Sequence, residues 1–171
     1  MTVLYRARQF WFALKAAPSG EDLDRARQVL SPPLMELFSS MQPGEQVHSL
    51  KVFHRLSKRK ETSPDLLAAA LLHDVGKSQH PLRLWERVLV VAGQAVFPNL
   101  VKYWGKGEPH GWRRAFVVAA KHPAWGADLA FAAGASPLVV SLIRLHRDEI
   151  SPAVDHENRL LFSLQRADNE S

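Results

Sequence analysis

From residue 3 to residue 168 the apolar side chains recur at the three-and-four spacing of an α-helix. No stretch of useful length alternates apolar with polar residues, as a half-buried strand must. That period points to one fold class, an all-α bundle. Proline, glycine and N-cap residues divide it into about eight to ten helices. Residues 3–16 set Leu4, Phe10, Trp11 and Leu14 near one face. Gly20–Leu30 and Pro32–Met41 read as short helices, the second opened by Ser31 as N-cap and Pro32 in the first turn. A longer helix is expected from about Pro43 to Arg59. Ser63-Pro64-Asp65 starts DLLAAALLHDVG, with Gly76 as its stop. Helices at 81–97 and Pro98–Trp104 follow, and GKGEPHG at 105–111 is the clearest loop. GWRRAFVVAAKH and PAWGADLAFAAG read as two helices broken at Pro123. Ser136-Pro137 opens another helix, and the loop DEISPAVDHE leads into NRLLFSLQRAD. With no repeat and no low-complexity linker, residues 43–171 are expected to form one domain. Residues 1–42 would be a helical extension of the same compact unit.

Composition narrows the chemistry. Of the 171 residues, 46% are hydrophobic and 23% charged, which suits a globular core rather than a disordered chain. There is no cysteine. Disulfide frameworks, thiolate zinc sites, iron–sulfur clusters and cysteine nucleophiles are thereby excluded. The eight histidines leave imidazole and carboxylate as the ligands for any metal site. No run of 18 apolar residues exists, so no membrane span is expected. The N-terminus lacks the long apolar stretch and small-residue cleavage site of a signal peptide, and a cytoplasmic location is the expectation. The net charge of +5 favours anionic partners such as nucleotides, nucleic acid or lipid headgroups.

The helical register turns several metal-capable groups inward. His73-Asp74 ends the apolar helix whose buried stripe is Leu66, Leu67, Ala70 and Leu71. His48 shares a face with Val52 and Leu56, His146 with Val139, Leu142 and Ile143, and Asp168 with Leu161 and Leu164. His122, directly before Pro123, is expected in extended backbone at a helix start, free to swing toward the core. Any one of these alone also fits a core histidine bonded to a carbonyl, or a capping aspartate. Buried imidazoles and carboxylates need partners, however. Together they point to a shared cation, with Fe, Mn, Zn, Ni or Co favoured over Cu(I).

These residues resemble the HD superfamily of metal-dependent phosphohydrolases. Its pattern is a histidine, a His-Asp pair and a distant aspartate, here His48 in VHSLKVFHRL, His73-Asp74 in LLHDVGK and Asp168 in LQRADN. His122 in KHPAWGADL and His146 in LIRLHRDE match the two extra histidines of the HDIG-like branch. The resemblance covers about residues 43–170. It implies two divalent metal ions (Fe or Mn, otherwise Mg, Zn, Ni or Co). His48, His73, Asp74 and Asp168 would hold the first, and Asp74, His122 and His146 the second. It also implies hydrolysis of a phosphoester, of a nucleotide in this reading, by a hydroxide held between the two ions, with Asp74 as the shared catalytic ligand. Lys77 matches a lysine near the substrate phosphate; the same residue also reads as a solvated cation at a helix end. Arg147 is a further candidate for substrate binding. An alternative is a catalytically weak signalling or nucleotide-binding module. A nucleic-acid binder is suggested by charge alone.

Departures limit the substrate reading. The HD-GYP subgroup, which degrades cyclic di-GMP, has a second histidine where Arg147 stands and a glycine-tyrosine-proline stretch absent here. Its glutamate one turn before the first histidine has no match, since Glu45 is three residues before His48 and Gly44 fills the usual place. A third metal is therefore not expected. Trp104, Trp112 and Trp125 flank the 105–111 loop, where they can stack on a nucleobase or pack in a core. Lys58-Arg59-Lys60, Arg113, Arg114 and Lys121 read as solvated cations. His54, His80, His110 and His156 match no ligand position.

Overall fold

The computed structural model describes residues 17–148 and 155–171. The helix read at 3–16 and most of the loop before the last helix lie outside them. Among the described residues there are nine α-helices and no strand. They are α1 Gly20–Val29, α2 Pro32–Ser40, α3 Pro43–Lys58, α4 Pro64–Leu72, α5 Leu84–Val96, α6 Pro98–Trp104, α7 Arg114–Ala132, α8 Pro137–Leu145 and α9 His156–Asn169. Two 3₁₀ turns, Val75–Gln79 and Gly111–Arg113, complete the list of elements. No helix among these residues is long and apolar enough to cross a membrane.

Helix α4 is the axis. Its sequence, PDLLAAALL, is apolar on nearly every side, and such a helix is stable in water only when surrounded. Leu66, Ala68, Ala69, Ala70, Leu71 and Leu72 are all buried. Helices α1, α2, α3, α8 and α9 all pack on it. The main core adds Leu56 from α3, Leu142 and Ile143 from α8, and Leu161 and Leu164 from α9. Phe38, Leu34, Leu30 and Ala26 of α1 and α2 and their junction join the same core. A second, smaller core of Leu82, Val90, Ala115, Phe116 and Val118 lies beneath α5 and α6. Helix α7 spans both cores, its first half in the smaller and its second half in the larger.

Two boundaries differ from the sequence expectation, and both bear on the site. Pro123 does not divide α7, which runs unbroken from Arg114 to Ala132. A proline inside a helix leaves the carbonyl four residues back without its usual donor. Here that carbonyl, Ala119 O, accepts from the His122 ring Nδ1 at 3.0 Å. His122 is therefore a mid-helix residue rather than an extended one at a helix start. Gly76 does not stop α4, which ends at His73; the glycine sits within the following 3₁₀ turn. A Cβ on Gly76 would lie 2.0 Å from His122 O and 2.6 Å from Gly126 N. Only glycine lets the turn after His73-Asp74 approach the backbone of α7 this closely. Ser31 stands at the N-cap of α2 as expected, without a side-chain capping bond. The segment Gly111–Arg113 is a 3₁₀ turn, and α7 begins after it.

Candidate metal centre

Six elements deliver the six groups. His48 comes from the first half of α3, and Asp168 from the last turn of α9. His73 and His146 are the residues that end α4 and α8. Asp74 begins the 3₁₀ turn, and His122 lies midway along α7. Asp74, His73, His122 and His146 are buried among apolar residues. His48 and Asp168 are partly exposed, so the cluster opens to solvent on their side.

The three buried imidazoles share one hydrogen-bonding pattern. His73 Nδ1 meets Ala70 O at 2.9 Å, His146 Nδ1 meets Ile143 O at 2.7 Å, and His122 Nδ1 meets Ala119 O and Val118 O. A carbonyl only accepts, so each Nδ1 carries the proton. Each Nε2 is then a bare lone pair aimed at Asp74. His122 Nε2 and His146 Nε2 stand 3.3 Å apart. His73 Nε2 is buried with no hydrogen-bond partner. Burial lowers the pKa of His122 and His146, aided at His122 by the Lys77 charge and at His146 by the neighbouring imidazoles. Protons therefore do not fill the gap between them. Facing nitrogen lone pairs beside a carboxylate are the donor set a divalent cation requires, with ring orientation fixed by the carbonyl bonds.

Asp74 divides the centre into two parts. Its Oδ1 lies 3.2 Å from His122 Nε2 and 4.0 Å from His146 Nε2. Its Oδ2 lies 3.7 Å from His73 Nε2. Asp168 Oδ1 lies 2.8 Å from His48 Nε2 and 3.7 Å from His73 Nε2. Two groups thus have ligand atoms close enough to hold an ion, His48 with His73 and Asp74, and Asp74 with His122 and His146. Burial alone would raise the Asp74 carboxyl. The Lys77 ammonium, His73 and the His122 contact outweigh it and hold the group well below the usual carboxylate range. At Asp168 the His48 bond and the neighbouring His73 ring overcome burial and bring the pKa to about 2.

Lys77 is partly exposed, and its Nζ donates to Asp74 Oδ2 at 2.6 Å. It lines a cleft of about 450 Å³ with His48, Asp74, Lys51 and Arg87. Arg87 had no signal beyond helical spacing; it pairs with Glu45. Arg87 Nη2 bonds Glu45 Oε1 at 2.8 Å and also Gln42 Oε1. Burial raises the Glu45 carboxyl despite Arg87 beside it. Glu45 is committed to that arginine and to the Gln42 N–H. Arg147 lies elsewhere, in a second opening of about 270 Å³ shared with His146 and Asp168.

The remaining candidates have other tasks. Arg114 is not a free surface cation; it bonds buried Glu86 at 2.7 Å and Pro81 O at 3.1 Å. Arg59 pairs with Glu170 at 2.5 Å. Trp104 and Trp125 pack on the smaller core, while Trp112 stays largely exposed. His80 stacks on Trp125, and His54 faces Asp22. A family model described as HD domain matches residues 46–170. No curated protein and no solved structure matches the chain.

Proposed function

The chain belongs to the HD-domain family, and from that premise we propose that it is a metal-dependent phosphohydrolase of the HDIG-like branch, acting on a phosphoester of a nucleotide. The observation that carries this reading is the convergence of three proton-free Nε2 atoms on the two oxygens of Asp74. His48, His73, Asp74 and Asp168 would hold one cation, and Asp74, His122 and His146 a second. Two divalent cations so held supply Lewis-acid activation of water and a clamp on phosphoryl oxygens. The protein's own part is positional and electrostatic. The carbonyl bonds of His73, His122 and His146 keep the rings aimed before any ligand arrives. Asp74 and Asp168 stay ionised at neutral pH, so neither offers a proton to the reaction. Lys77 sets a positive charge beside Asp74, where it offsets charge that develops on a phosphoryl group. Lys51 and Arg87 add two cations to the same cleft, which suits a substrate bearing phosphate. Arg147 would bind from the second opening.

The test is metal analysis of protein purified without chelator. A hydrolysis screen of nucleotides and cyclic dinucleotides with Mn²⁺, Fe²⁺ or Mg²⁺ follows. The expected result is close to two ions per chain and turnover that disappears in Asp74→Ala. Protein that takes up no ion in excess metal overturns the two-metal reading. Full loading without turnover of any phosphoester favours the signalling module.

A further inference from the structure

Helix α5 is apolar except for Glu86, Arg87 and Gln94, yet only one of its faces is buried. Glu86, Val90 and Gly93 turn inward onto Phe116 and the smaller core. The opposite face carries Trp85, Val88 and Val91, more than half exposed at 56%, 52% and 63%. Helix α6 continues the pattern. Val101 and Trp104 pack inward, while Phe97, Leu100 and Tyr103, three residues apart, face outward. Among the described residues, eight of the ten exposed large apolar side chains fall between residues 85 and 112. Such concentration marks an interaction surface rather than scattered exposure.

Cations border the same stretch. Residues 85–113 hold four lysines and arginines, Arg87, Lys102, Lys106 and Arg113, against two acids. One of those acids, Glu86, is buried against Arg114. Lys102, Lys106 and Arg113 flank the apolar face, exposed and without an acidic partner among the described residues. In a face-to-face pairing of two copies these unpaired cations would meet their own kind, which opposes it. A nucleic acid would answer the charge, but Val88, Val91 and Leu100 offer it no hydrogen bonds. Aliphatic side chains, tryptophan and tyrosine ringed by lysine and arginine match the interface of an anionic bilayer.

We infer that the outer face of α5 and α6, with Trp112 beside it, docks peripherally on an anionic lipid surface. The aromatic and aliphatic side chains enter the headgroup layer, and Lys102, Lys106 and Arg113 meet lipid phosphates. Val91 also lines the cleft that holds Asp74 and Lys77, so docking sets the mouth of that cleft beside the membrane. The inference stands on surface and charge alone and does not depend on catalysis.

Co-sedimentation tests it, using the full chain with phosphatidylcholine vesicles, plain or containing about 30% phosphatidylglycerol. Binding is expected to the anionic vesicles only, to weaken as salt rises, and to shift tryptophan emission to the blue. Each of Lys102→Gln, Lys106→Gln and Arg113→Gln should weaken binding by about fivefold. Trp85→Ala, and Val88→Glu combined with Leu100→Glu, should weaken it by about tenfold or more while the Tm holds, because these side chains are exposed. Three results overturn the inference. One is no binding to anionic vesicles at low salt. Another is a stable dimer that the Val88→Glu, Leu100→Glu variant dissociates. The last is a single-stranded oligonucleotide that binds more tightly than the vesicles and loses affinity in Trp85→Ala.

Discussion

Asp74 presents one oxygen to His122 and His146 and the other to His73 and Lys77. A change there acts on both halves of the centre at once. Asp74→Asn keeps the shape but removes the charge that three imidazoles face. Metal content by mass spectrometry is expected to fall from two ions to near none. His146→Ala should lose mainly the second ion, since His146 touches only one half. Retention of both ions in Asp74→Asn would refute the shared-ligand assignment. Lys77 separates charge from ligation. Its ammonium now bonds the oxygen a cation would take, so Lys77→Gln should leave metal content intact or tighten binding. Turnover should fall by a factor on the order of 10²–10³, as when one stabilising donor is lost. Lys77→Arg should recover part of it. A Lys77→Gln variant with wild-type turnover would strike Lys77 from the reaction.

At the scale of elements, the centre is built by close approach of the 3₁₀ turn and α7. Gly76→Ala is expected to destabilise the fold by about 3 kcal/mol or more, because backbone rather than a flexible side chain stands in the way. A thermal melt within a degree or two of wild type would contradict that packing. Pro123 serves the same region differently. Pro123→Ala restores an N–H that competes with the His122 ring for Ala119 O. The helix should become more stable, while affinity for the second ion falls several-fold, since Val118 O still holds the ring. These two residues also show where sequence reasoning stopped. Helical period placed the helices, and the faces of His48, His146 and Asp168 followed from their apolar neighbours. Pro123 and Gly76 read as breaks because local propensity disfavours both in helices. Their actual roles depend on partners 3–50 residues away in the chain: the ring of His122 for Ala119 O, and the backbone of α7 for Gly76. Arg87 was illegible for the same reason, as its partner Glu45 stands 42 residues away in the chain.

For the molecule as a whole, the buried histidines are a liability as pH falls. Burial lowers the pKa of His122 and His146 from 6.5 in the folded chain. Below that pH the unfolded chain takes up protons that the folded chain refuses, so metal-free protein should lose stability as pH falls through about 6.5. A separate loss follows at lower pH. The stability Asp168 supplies is complete above its ordinary 3.8 and disappears as pH falls toward about 2, and Asp74 acts in the same sense. Glu45, raised by burial, has the opposite sign, since protonation relieves its cost; it is one group against four. Bound metal competes with protons for the same nitrogens. It should therefore raise the Tm more at about pH 8 than at about pH 5.5. Melts of metal-free and metal-loaded protein across this range test both statements. Metal-free protein equally stable at both pH values would show that the imidazoles are not held neutral by burial. An equal metal-induced rise at both would show that the metal is not bound through histidine.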